Sequence, residues 1–479
     1  MALRGVTQLL NLLTNLVLAR ILFPEDFGIV ALAAAYVAVV EGLTLLPMDQ
    51  ALIRFRDPSR SLYDTAWTLS ALRGAVIAAA MVASAAPASI LMAEDRLEAV
   101  VVVLALKPLI AGIQNPRFID FEKSLVFSKS FLLHVGTKAV MAAVTIGFAV
   151  ALRSYWALII GQLAAAAVQV VWSFVLKPFR PRFGMTGVRA LFAFSAWLWG
   201  TSILRTLNLQ ADKFLIGAML STSAVGLYYL GTTLSETLIG SLTSPLVRAL
   251  YPGFALIADQ LDKLRKNVLE ASSVVAAIVL PLGMGVALIA EEFVQVVLGD
   301  RWVATIPIIE VLVPLFALSS LTSVTDPVVM ARGRTRLLFY RACAMLVIRV
   351  GAIVPGIVYF GLMGAVYGWA ASHVAYLAAQ LLLLARILGI RAYTPVVRIG
   401  RTWASLAFMT LSVVAVEYVA PAPDGVGDLL LVMGAKIAVG GIAYCAAHGG
   451  LWIAAGRPVG VETRILRLAG GLAPRILSS

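Results

Sequence analysis

The sequence predicts an all-α polytopic membrane protein with about fourteen transmembrane helices. Apolar runs of about 20 residues, the length needed to cross a bilayer core of ~30 Å, recur along all 479 residues. The chain is 61% hydrophobic and 13% charged, with a mean hydropathy of +0.94. These values exclude an ordinary soluble globular protein. The runs do not alternate apolar and polar residues, so a β-barrel is not predicted.

The distribution of positive charge supports both the number of spans and their orientation. With a cytoplasmic N-terminus, about 27 Lys and Arg residues fall in inside connections, about 4 in outside connections and about 7 within the spans. One miscounted helix would reverse the predicted side of every later connection, and the bias would then be lost. The consistent bias therefore supports an even number of spans, and we expect both termini in the cytoplasm. The predicted spans are residues 6–23, 27–49, 64–92, 97–116, 128–151, 154–176, 190–219, 224–247, 271–290, 303–330, 338–359, 362–385, 402–420 and 427–454.

A tight junction separates the first two spans at residues 18–28. Pro24 is tolerated in the first turn of a helix, and Glu25 and Asp26 favour the positive N-terminal end of that helix. The motif therefore predicts a helix end, a short turn with Pro24 and Gly28 as hinge residues, and a second helix start. Residues 220–226 repeat residues 22–28 in degenerate form, 198 positions further on. This predicts a two-fold internal repeat.

Charged residues occur inside the predicted spans, where each costs roughly 2.5–3.5 kcal/mol at the bilayer centre unless it faces a partner or water. Acidic residues are fewer there than basic ones, which favours a hydrated, positively charged cavity. The acidic residues are Glu41, Asp212, Glu236, Glu310 and Asp326. The basic residues are Arg73, Lys107, Lys138, Arg205, Lys213, Arg349 and Lys436.

Spacing at 100° per residue places polar side chains on single faces of several spans. Such faces can line a cavity, but they can also join helices through interhelical hydrogen bonds. Lys107 and Arg349 can also snorkel to an interface. The faces hold Gln8, Asn11 and Asn15 in the first span; Thr201, Arg205, Asn208 and Asp212, with Lys213 at the edge, in the seventh; Tyr228, Thr232 and Glu236 in the eighth; and His134 and Lys138 in the fifth.

Two pseudo-equivalent bundles around a cationic cavity are typical of an alternating-access transporter for an anionic substrate such as a phosphate or diphosphate. The sequence contains no Walker A motif and no soluble basic domain, so neither ATP nor nucleic acid is an expected partner. Cys343 and Cys445 lie in apolar runs and are interpreted as packing residues. No metal site, cofactor or catalytic residue is predicted.

Three segments resemble one known family. They are residues 18–28 (Leu-Ala-Arg-Ile-Leu-Phe-Pro-Glu-Asp-Phe-Gly), residues 50–54 and residues 209–217. They are similar to the polysaccharide-transporter family, the Wzx-type oligosaccharide flippases of the multidrug/oligosaccharidyl-lipid/polysaccharide exporter superfamily. The resemblance implies two six-helix lobes at residues 1–178 and 189–386 and two additional helices at 401–454. A basic amphipathic cytoplasmic tail is expected at 455–479.

The resemblance also implies the function. Family members move an undecaprenyl-diphosphate-linked oligosaccharide, destined for exopolysaccharide, capsule or O-antigen, from the cytoplasmic to the periplasmic leaflet of the bacterial inner membrane. Coupling to a proton or sodium gradient is implied for the superfamily. The bilayer is an expected partner, and a polysaccharide polymerase and a chain-length regulator are candidate ones.

Candidate site residues follow from combining the resemblance with the helical faces. Arg20 is secondary because it points about 180° from the polar face of its helix. Asp212 and Glu236 are candidate ion-coupling carboxylates. The candidate substrate-binding cations are Arg205, Lys213, Lys138, Arg73, Arg349 and Arg20, and the candidate cavity-lining polar residues are Gln8, Asn11, Asn15, Thr201, Asn208, Tyr228 and Thr232.

Several alternative functions remain open from the sequence. A lipid II flippase would share the same architecture. A cation-coupled exporter of amphipathic drugs would be expected to carry an acidic cavity. A membrane glycosyltransferase or polymerase would need a sizeable outside loop for its catalytic residues, and the predicted outside loops are short. A scaffold for a synthesis complex is the non-catalytic alternative.

Overall fold

The structure is a computed structural model that describes residues 2–44, 52, 58–124, 127–186, 188, 196–257, 259–334, 336–419 and 425–457. These residues form helices and connections with no strand, which confirms the all-α prediction. Among them, nine helices are long and apolar enough to cross a membrane. The count of about fourteen spans stays a prediction. Most of the predicted tail at 455–479 lies outside the described residues.

The helices follow the apolar runs of the sequence. The first eight are α1 (Ala2–Ile21), α2 (Pro24–Leu43), α3 (Arg60–Met92), α4 (Arg96–Leu104), α5 (Leu106–Gly112), α6 (Ile119–Lys123), α7 (Phe127–Leu152) and α8 (Trp156–Leu176). They continue with α9 (Ala196–Met219), α10 (Thr222–Leu256), α11 (Leu261–Leu288), α12 (Ala290–Phe293), α13 (Ile306–Leu318), α14 (Thr325–Ala331), α15 (Arg336–Leu388), α16 (Thr394–Arg398), α17 (Gly400–Val419) and α18 (Val426–Ala454).

Two predicted spans are each divided into two helices in the structure. The span at 97–116 divides into α4 and α5, because Pro108 has no N–H to donate to the carbonyl four residues earlier. The span at 303–330 divides into α13 and α14 with a 3₁₀ turn, Ser319–Thr322, between them. Pro327 lies in the first turn of α14, where its missing N–H is tolerated.

The predicted spans 338–359 and 362–385 form one long helical segment, α15, with a bend inside it. Gly361 has φ 58° and ψ −136° at this bend, a backbone conformation that residues with a Cβ atom rarely adopt. Two helices therefore meet there without a connecting loop.

The described chain divides into two compact units. Unit 1 comprises Met1–Leu230 and Arg349–Ala365, and unit 2 comprises Gly231–Ile348 and Val366–Ser479. The lobe boundaries that the resemblance implies, at residues 1–178 and 189–386, stay a prediction. Unit 1 contains the junction and both of the pockets described below.

The α1–α2 junction of unit 1 has the form that the sequence predicts. The carboxylate of Asp26 accepts the backbone N–H of Phe23 at 2.9 Å and caps the helix that Pro24 begins. Its other oxygen accepts the backbone N–H of Tyr155 at 3.0 Å, beside the start of α8. One aspartate therefore caps α2 and fixes α8 against it.

The two copies of the repeated motif contact each other reciprocally. A Cβ atom on Gly28 would collide with the carbonyl oxygen of Thr222, and one on Gly226 would collide with the carbonyl oxygen of Pro24. The repeat offset of 198 residues pairs Pro24 with Thr222 and Gly28 with Gly226. The contact is therefore self-complementary, as in a two-fold interface. Only glycine permits the backbones of α2 and α10 to approach this closely.

Unit 2 contains an apolar core and a buried ion pair. Leu264 of α11, Val328 of α14 and Leu384 of α15 are fully buried together in the core. Lys436 of α18 lies 2.6 Å from Glu292 of α12, and both side chains are almost completely buried. Because a lone buried charge is costly, this pair ties α18 to the rest of unit 2.

Candidate functional site

A cavity of about 390 Å³ lies among the helices of unit 1. Lys107 of α5 and Lys138 of α7 contribute positive charge to its wall, and both side chains are half-buried. Its remaining lining comes from α1, α2, α8 and α10, from further residues of α5 and α7, and from the connection after α5. The volume is typical of a pocket for a small molecule or a headgroup.

The two lysines have no acidic neighbour in this cavity. Among the described lining residues there is no Asp or Glu, and no described carboxylate lies within ion-pair distance of either ammonium group. The nearest side-chain partner of Lys138 Nζ is the sulfur of Met141 at 4.0 Å. Lys107 and Lys138 also repel each other electrostatically. An anion that enters the cavity relieves this repulsion, so the site favours negative charge.

Amide side chains complete the polar wall. Gln162 and Gln169 lie seven residues apart on α8, hence on one face, and both line the cavity with Gln114. Gln169 donates a hydrogen bond to Gln114 Oε1 at 3.3 Å. Asn15 of α1 also lines the cavity. Amides both donate and accept, so this wall can bind phosphate oxygens or sugar hydroxyls.

The second copy of the repeat reaches this cavity through Tyr229. Tyr229 lines the cavity, and Lys213 Nζ lies 5.9 Å from the centre of its ring while donating to Gln210 Oε1 at 2.8 Å. The buried carboxylate of Asp212 accepts the hydroxyl of Tyr228 at 2.7 Å. The neighbouring charges of residues 212 and 213 thus have different partners, and only Lys213 packs beside the cavity wall.

Of the six candidate substrate-binding cations, Lys138 lines the cavity and Lys213 lies beside it. Arg73 instead caps the C-terminal end of α2, donating to the carbonyl oxygens of Thr44 at 2.7 Å and Glu41 at 3.0 Å. Arg349 donates to the backbone carbonyl of Asn208. The side chains of Arg205 and Arg20 are exposed.

The candidate polar residues are distributed unevenly. Asn15 lines the cavity, whereas Gln8 and Asn11 of the same helix are partly buried elsewhere. Tyr228 and Thr232 are buried, and Glu236 is exposed. The side chain of Thr201 lies outside the described residues.

The three glutamines and Tyr229 are functional candidates that sequence reasoning missed, and Lys107 is a span cation that it did not select for substrate binding. The signal that could have found them is the pair Gln162 and Gln169, since two amides on one face of an otherwise apolar helix are unusual in a membrane span. Lys107 carries no such signal, because a lysine near a helix end also fits an interfacial role.

Pro24 and Gly28 of the junction do not line this cavity, and the junction carries its own charge network. Arg96 pairs with Glu94 at 2.6 Å and with Glu25 at 3.7 Å. Thr222 donates its hydroxyl to Glu94 at 2.6 Å. Glu94 lies in the connection after α3, and hydrogen bonding, chiefly from Arg96 and then from Thr222, holds the pKa of its carboxyl below the usual range.

Comparisons with known proteins agree with this architecture. A family model described as "Polysaccharide biosynthesis protein" matches residues 17–307, more than half of the chain. The chain is similar to the lipopolysaccharide biosynthesis protein WzxC of Escherichia coli strain K12, with 26% identity over 75% of this chain and 73% of WzxC. It is also similar to the succinoglycan biosynthesis transport protein ExoT of Rhizobium meliloti strain 1021, with 23% identity over 72% and 71% of the two chains.

Solved structures share the fold. The lipid II flippase MurJ in an inward closed conformation superposes with a TM-score of 0.74 at 9% identity, covering 94% of this chain and 98% of MurJ. An inward-facing multidrug resistance transporter of the MATE family gives a TM-score of 0.59 at 17% identity, covering 79% and 94%. The matched residues 17–307 contain both copies of the junction motif. The chain therefore belongs to the polysaccharide biosynthesis family of multi-pass membrane transporters, as the sequence resemblance predicts.

Proposed function

We propose that the chain is a flippase that moves a lipid-diphosphate-linked oligosaccharide across the bacterial inner membrane by alternating access. The carrying observation is the cavity of unit 1, in which Lys107 and Lys138 share one wall with no carboxylate among the described lining residues. A diphosphate carries the complementary charge and several acceptor oxygens. Ammonium groups and amide N–H groups are the donors that such oxygens bind.

The size of the cavity fits the headgroup. About 390 Å³ accommodates a diphosphate and the sugar next to it rather than a whole oligosaccharide and its lipid. The glutamines are suited to sugar hydroxyls, since each offers both a donor and an acceptor. We therefore assign the diphosphate to Lys107 and Lys138 and the first sugar to the amide wall.

The positive charge of the cavity favours a flippase for an anionic substrate over an exporter of cationic drugs. An exporter of cationic drugs would need a carboxylate where this cavity presents two lysines. A lipid II flippase remains the second candidate, because lipid II also carries a diphosphate and MurJ shares the fold. The two are distinguished by the glycan accepted rather than by the lysines.

Gradient coupling belongs to the same proposal. Asp212 is the better of the two candidate carboxylates, because it is buried and accepts a hydrogen bond from Tyr228, whereas Glu236 is exposed. A coupling cation at Asp212 would compete with the hydroxyl of Tyr228 for the same carboxylate, next to the ring of Tyr229 on the cavity wall. No bound cofactor is part of the proposal, and a polymerase and a chain-length regulator would be functional partners.

The experiment is a leaflet-specific assay of fluorescent lipid-diphosphate oligosaccharide in proteoliposomes, with and without a proton or sodium gradient. Lys107→Gln and Lys138→Gln should each lower the flipping rate about 10- to 100-fold, since a charge-assisted hydrogen bond is worth about 1.5–3 kcal/mol. Lys129→Gln, an exposed position on the same helix α7, is the matched control and should keep the wild-type rate. Unchanged rates in both cavity variants would overturn the proposal.

A further inference from the structure

A second pocket of unit 1, of about 420 Å³, opens where α3 begins and α8 ends. We call it the arginine pocket. Arg60, Arg117 and Arg180 line it together with the rings of Tyr63 and Phe179, and its described lining contains no carboxylate. The charge distribution of the sequence places this end on the cytoplasmic face.

Arg117 is held in place by aromatic rings. Its guanidinium carbon lies 5.4 Å from the ring centre of Tyr63 and 5.9 Å from that of Phe179, within cation–π range. Its Nε atom is buried and makes no hydrogen bond in the described chain. Arg117 therefore lines the pocket between two rings, and the hydrogen-bonding capacity of its guanidinium group is not used up.

The nearest carboxylate does not neutralise the pocket. Asp120 lies 3.7 Å from Arg117 Nε, but it already forms an ion pair with Lys177 and accepts the hydroxyl of Tyr63. Although burial alone would raise the pKa of Asp120, the hydrogen bonds from Lys177 and Tyr63 outweigh it and hold that pKa below the usual range. One carboxylate is thus shared between two cations, which leaves net positive charge.

Arg60 and Arg180 add charge that is mostly exposed. Arg60 lies 3.9 Å from Asp64 and donates to the backbone oxygen of Arg180 at 3.5 Å. The side chain of Arg180 is exposed. Four cations, counting Lys177, therefore face two carboxylates around this pocket. The excess favours an anionic ligand.

The walls of the pocket are fixed before any ligand arrives. Asn115, two residues before Arg117, donates from Nδ2 to the backbone oxygens of Ser173 at 3.1 Å and Lys177 at 2.6 Å. Its own backbone N–H donates to Ser173 Oγ at 3.2 Å. These bonds pin the connection after α5 to the end of α8. A pre-organised site of this kind loses little entropy on binding.

Exposed apolar side chains adjoin the arginines. The segment after α8 is fastened to α3, because the N–H of Gly184 donates to Thr68 Oγ1 at 3.1 Å. On that segment Phe183 is 82% exposed and Met185 56% exposed, and Phe183 packs edge-on against Trp67. Exposed aromatic rings beside basic residues are typical of a membrane interface. The ligand therefore meets the pocket at the level of lipid headgroups.

We propose that the arginine pocket binds the phosphate-bearing headgroup of a membrane lipid. Guanidinium groups bind phosphate oxygens in a bidentate fashion, and basic pockets at the cytoplasmic ends of membrane helices bind anionic headgroups. The headgroup has two sources, a resident anionic phospholipid or the diphosphate of a lipid-linked sugar. Arg117 lies three residues from Gln114, which lines the cavity of Lys107 and Lys138, so one connection contributes to both sites.

The test measures lipid binding to the purified full-length chain in phosphatidylcholine nanodiscs. One arm adds fluorescent phosphatidylglycerol and the other adds fluorescent undecaprenyl diphosphate. The Arg60→Gln/Arg117→Gln variant should weaken binding in at least one arm by tenfold or more. Lys263→Gln, an exposed lysine of α11 predicted on the same face, should change it less than twofold. The arm that responds identifies the source of the phosphate.

A second variant keeps the test decisive if the double variant folds poorly. Arg180→Gln removes only an exposed side chain of the pocket and should weaken binding in the responding arm about threefold or more. Wild-type affinity of a folded double variant or of Arg180→Gln in both arms would overturn the proposal. Because binding is measured without transport, such a failure leaves the flippase proposal standing, and that proposal is tested separately at Lys107 and Lys138.

Discussion

The reciprocal glycine contact between α2 and α10 gives a sharp prediction for Gly28→Ala. The new Cβ atom would lie 2.7 Å from the carbonyl carbon of Thr222, where ordinary contacts begin at 3.4 Å. The carbonyl oxygen of Thr222 lies closer still, and neither contact atom is on a flexible side chain, so the two helix backbones must separate by more than about 1 Å. Because α2 and α10 are otherwise closely packed here, this movement also loosens their neighbours.

The magnitude follows from two opposing effects. Overpacking of a close contact lowers the free energy of unfolding by about 1–3 kcal/mol, whereas replacing glycine by alanine within a helix raises it by about 0.5–1 kcal/mol. We expect Gly28→Ala and Gly226→Ala each to lower the free energy of unfolding by about 0.5–2 kcal/mol. The double variant should cost less than the sum, because the first substitution already separates the helices that the second would push apart.

The assay is thermal unfolding of the purified variants in detergent, compared at one protein concentration. Gly240→Ala lies on α10 with nothing within 4 Å of the new Cβ atom and is the matched control. It should raise stability by about 0.5–1 kcal/mol, opposite in sign to Gly226→Ala on the same helix. Equal effects of Gly226→Ala and Gly240→Ala, or strict additivity of the double variant, would refute the reasoning.

Three further predictions concern charged groups. Lys436→Met leaves Glu292 buried without its partner and should lower the free energy of unfolding by about 3–5 kcal/mol. The double variant Lys436→Met/Glu292→Leu should regain most of this stability. A double variant that is as unstable as the single one in thermal unfolding would contradict the prediction. Arg73→Met removes two hydrogen bonds from the C-terminal end of α2, so amide hydrogen exchange there should rise, and unchanged exchange would disprove the capping role. Glu94 has a lowered pKa, so its contribution to stability is present above its ordinary value of 4.5 and is lost as the pH falls further. The acid-dependent loss of stability should be shallower in Glu94→Gln, and an identical pH profile would argue against the network with Arg96.

The cavity of unit 1 shows why helical faces identify candidate residues only in part. Spacing places Arg205 and Asp212 on the same face of α9, and this holds for any straight helix. In the structure Asp212 is buried and Arg205 is exposed. A periodic pattern predicts the direction in which a side chain points from its helix axis. It does not predict how deeply that side chain is buried among the other helices, and this burial decides which residue can line a cavity.

Arg73 and Lys107 illustrate the same limit in opposite ways. Both are cations within predicted spans, and Arg73 was the one expected at the substrate site. Arg73 in fact meets the free carbonyl groups at the end of α2, a role set by where a neighbouring helix stops. Lys107 lines the cavity on α5, a short helix that begins after the break at Ala105, ahead of Pro108. The identity of neither residue indicates where these helices end.

The sequence by itself determined the membrane class, the helical fold, the family and the junction with its repeat. Each depends on composition or on residues close together in the chain, so local physics and pattern suffice. Only the tertiary structure decided that Gly28 and Gly226 lie against each other's repeat, and that Lys107 and Lys138 share one cavity without a carboxylate among its described walls. These features join residues distant in sequence, and their positions depend on how whole helices pack rather than on any local preference.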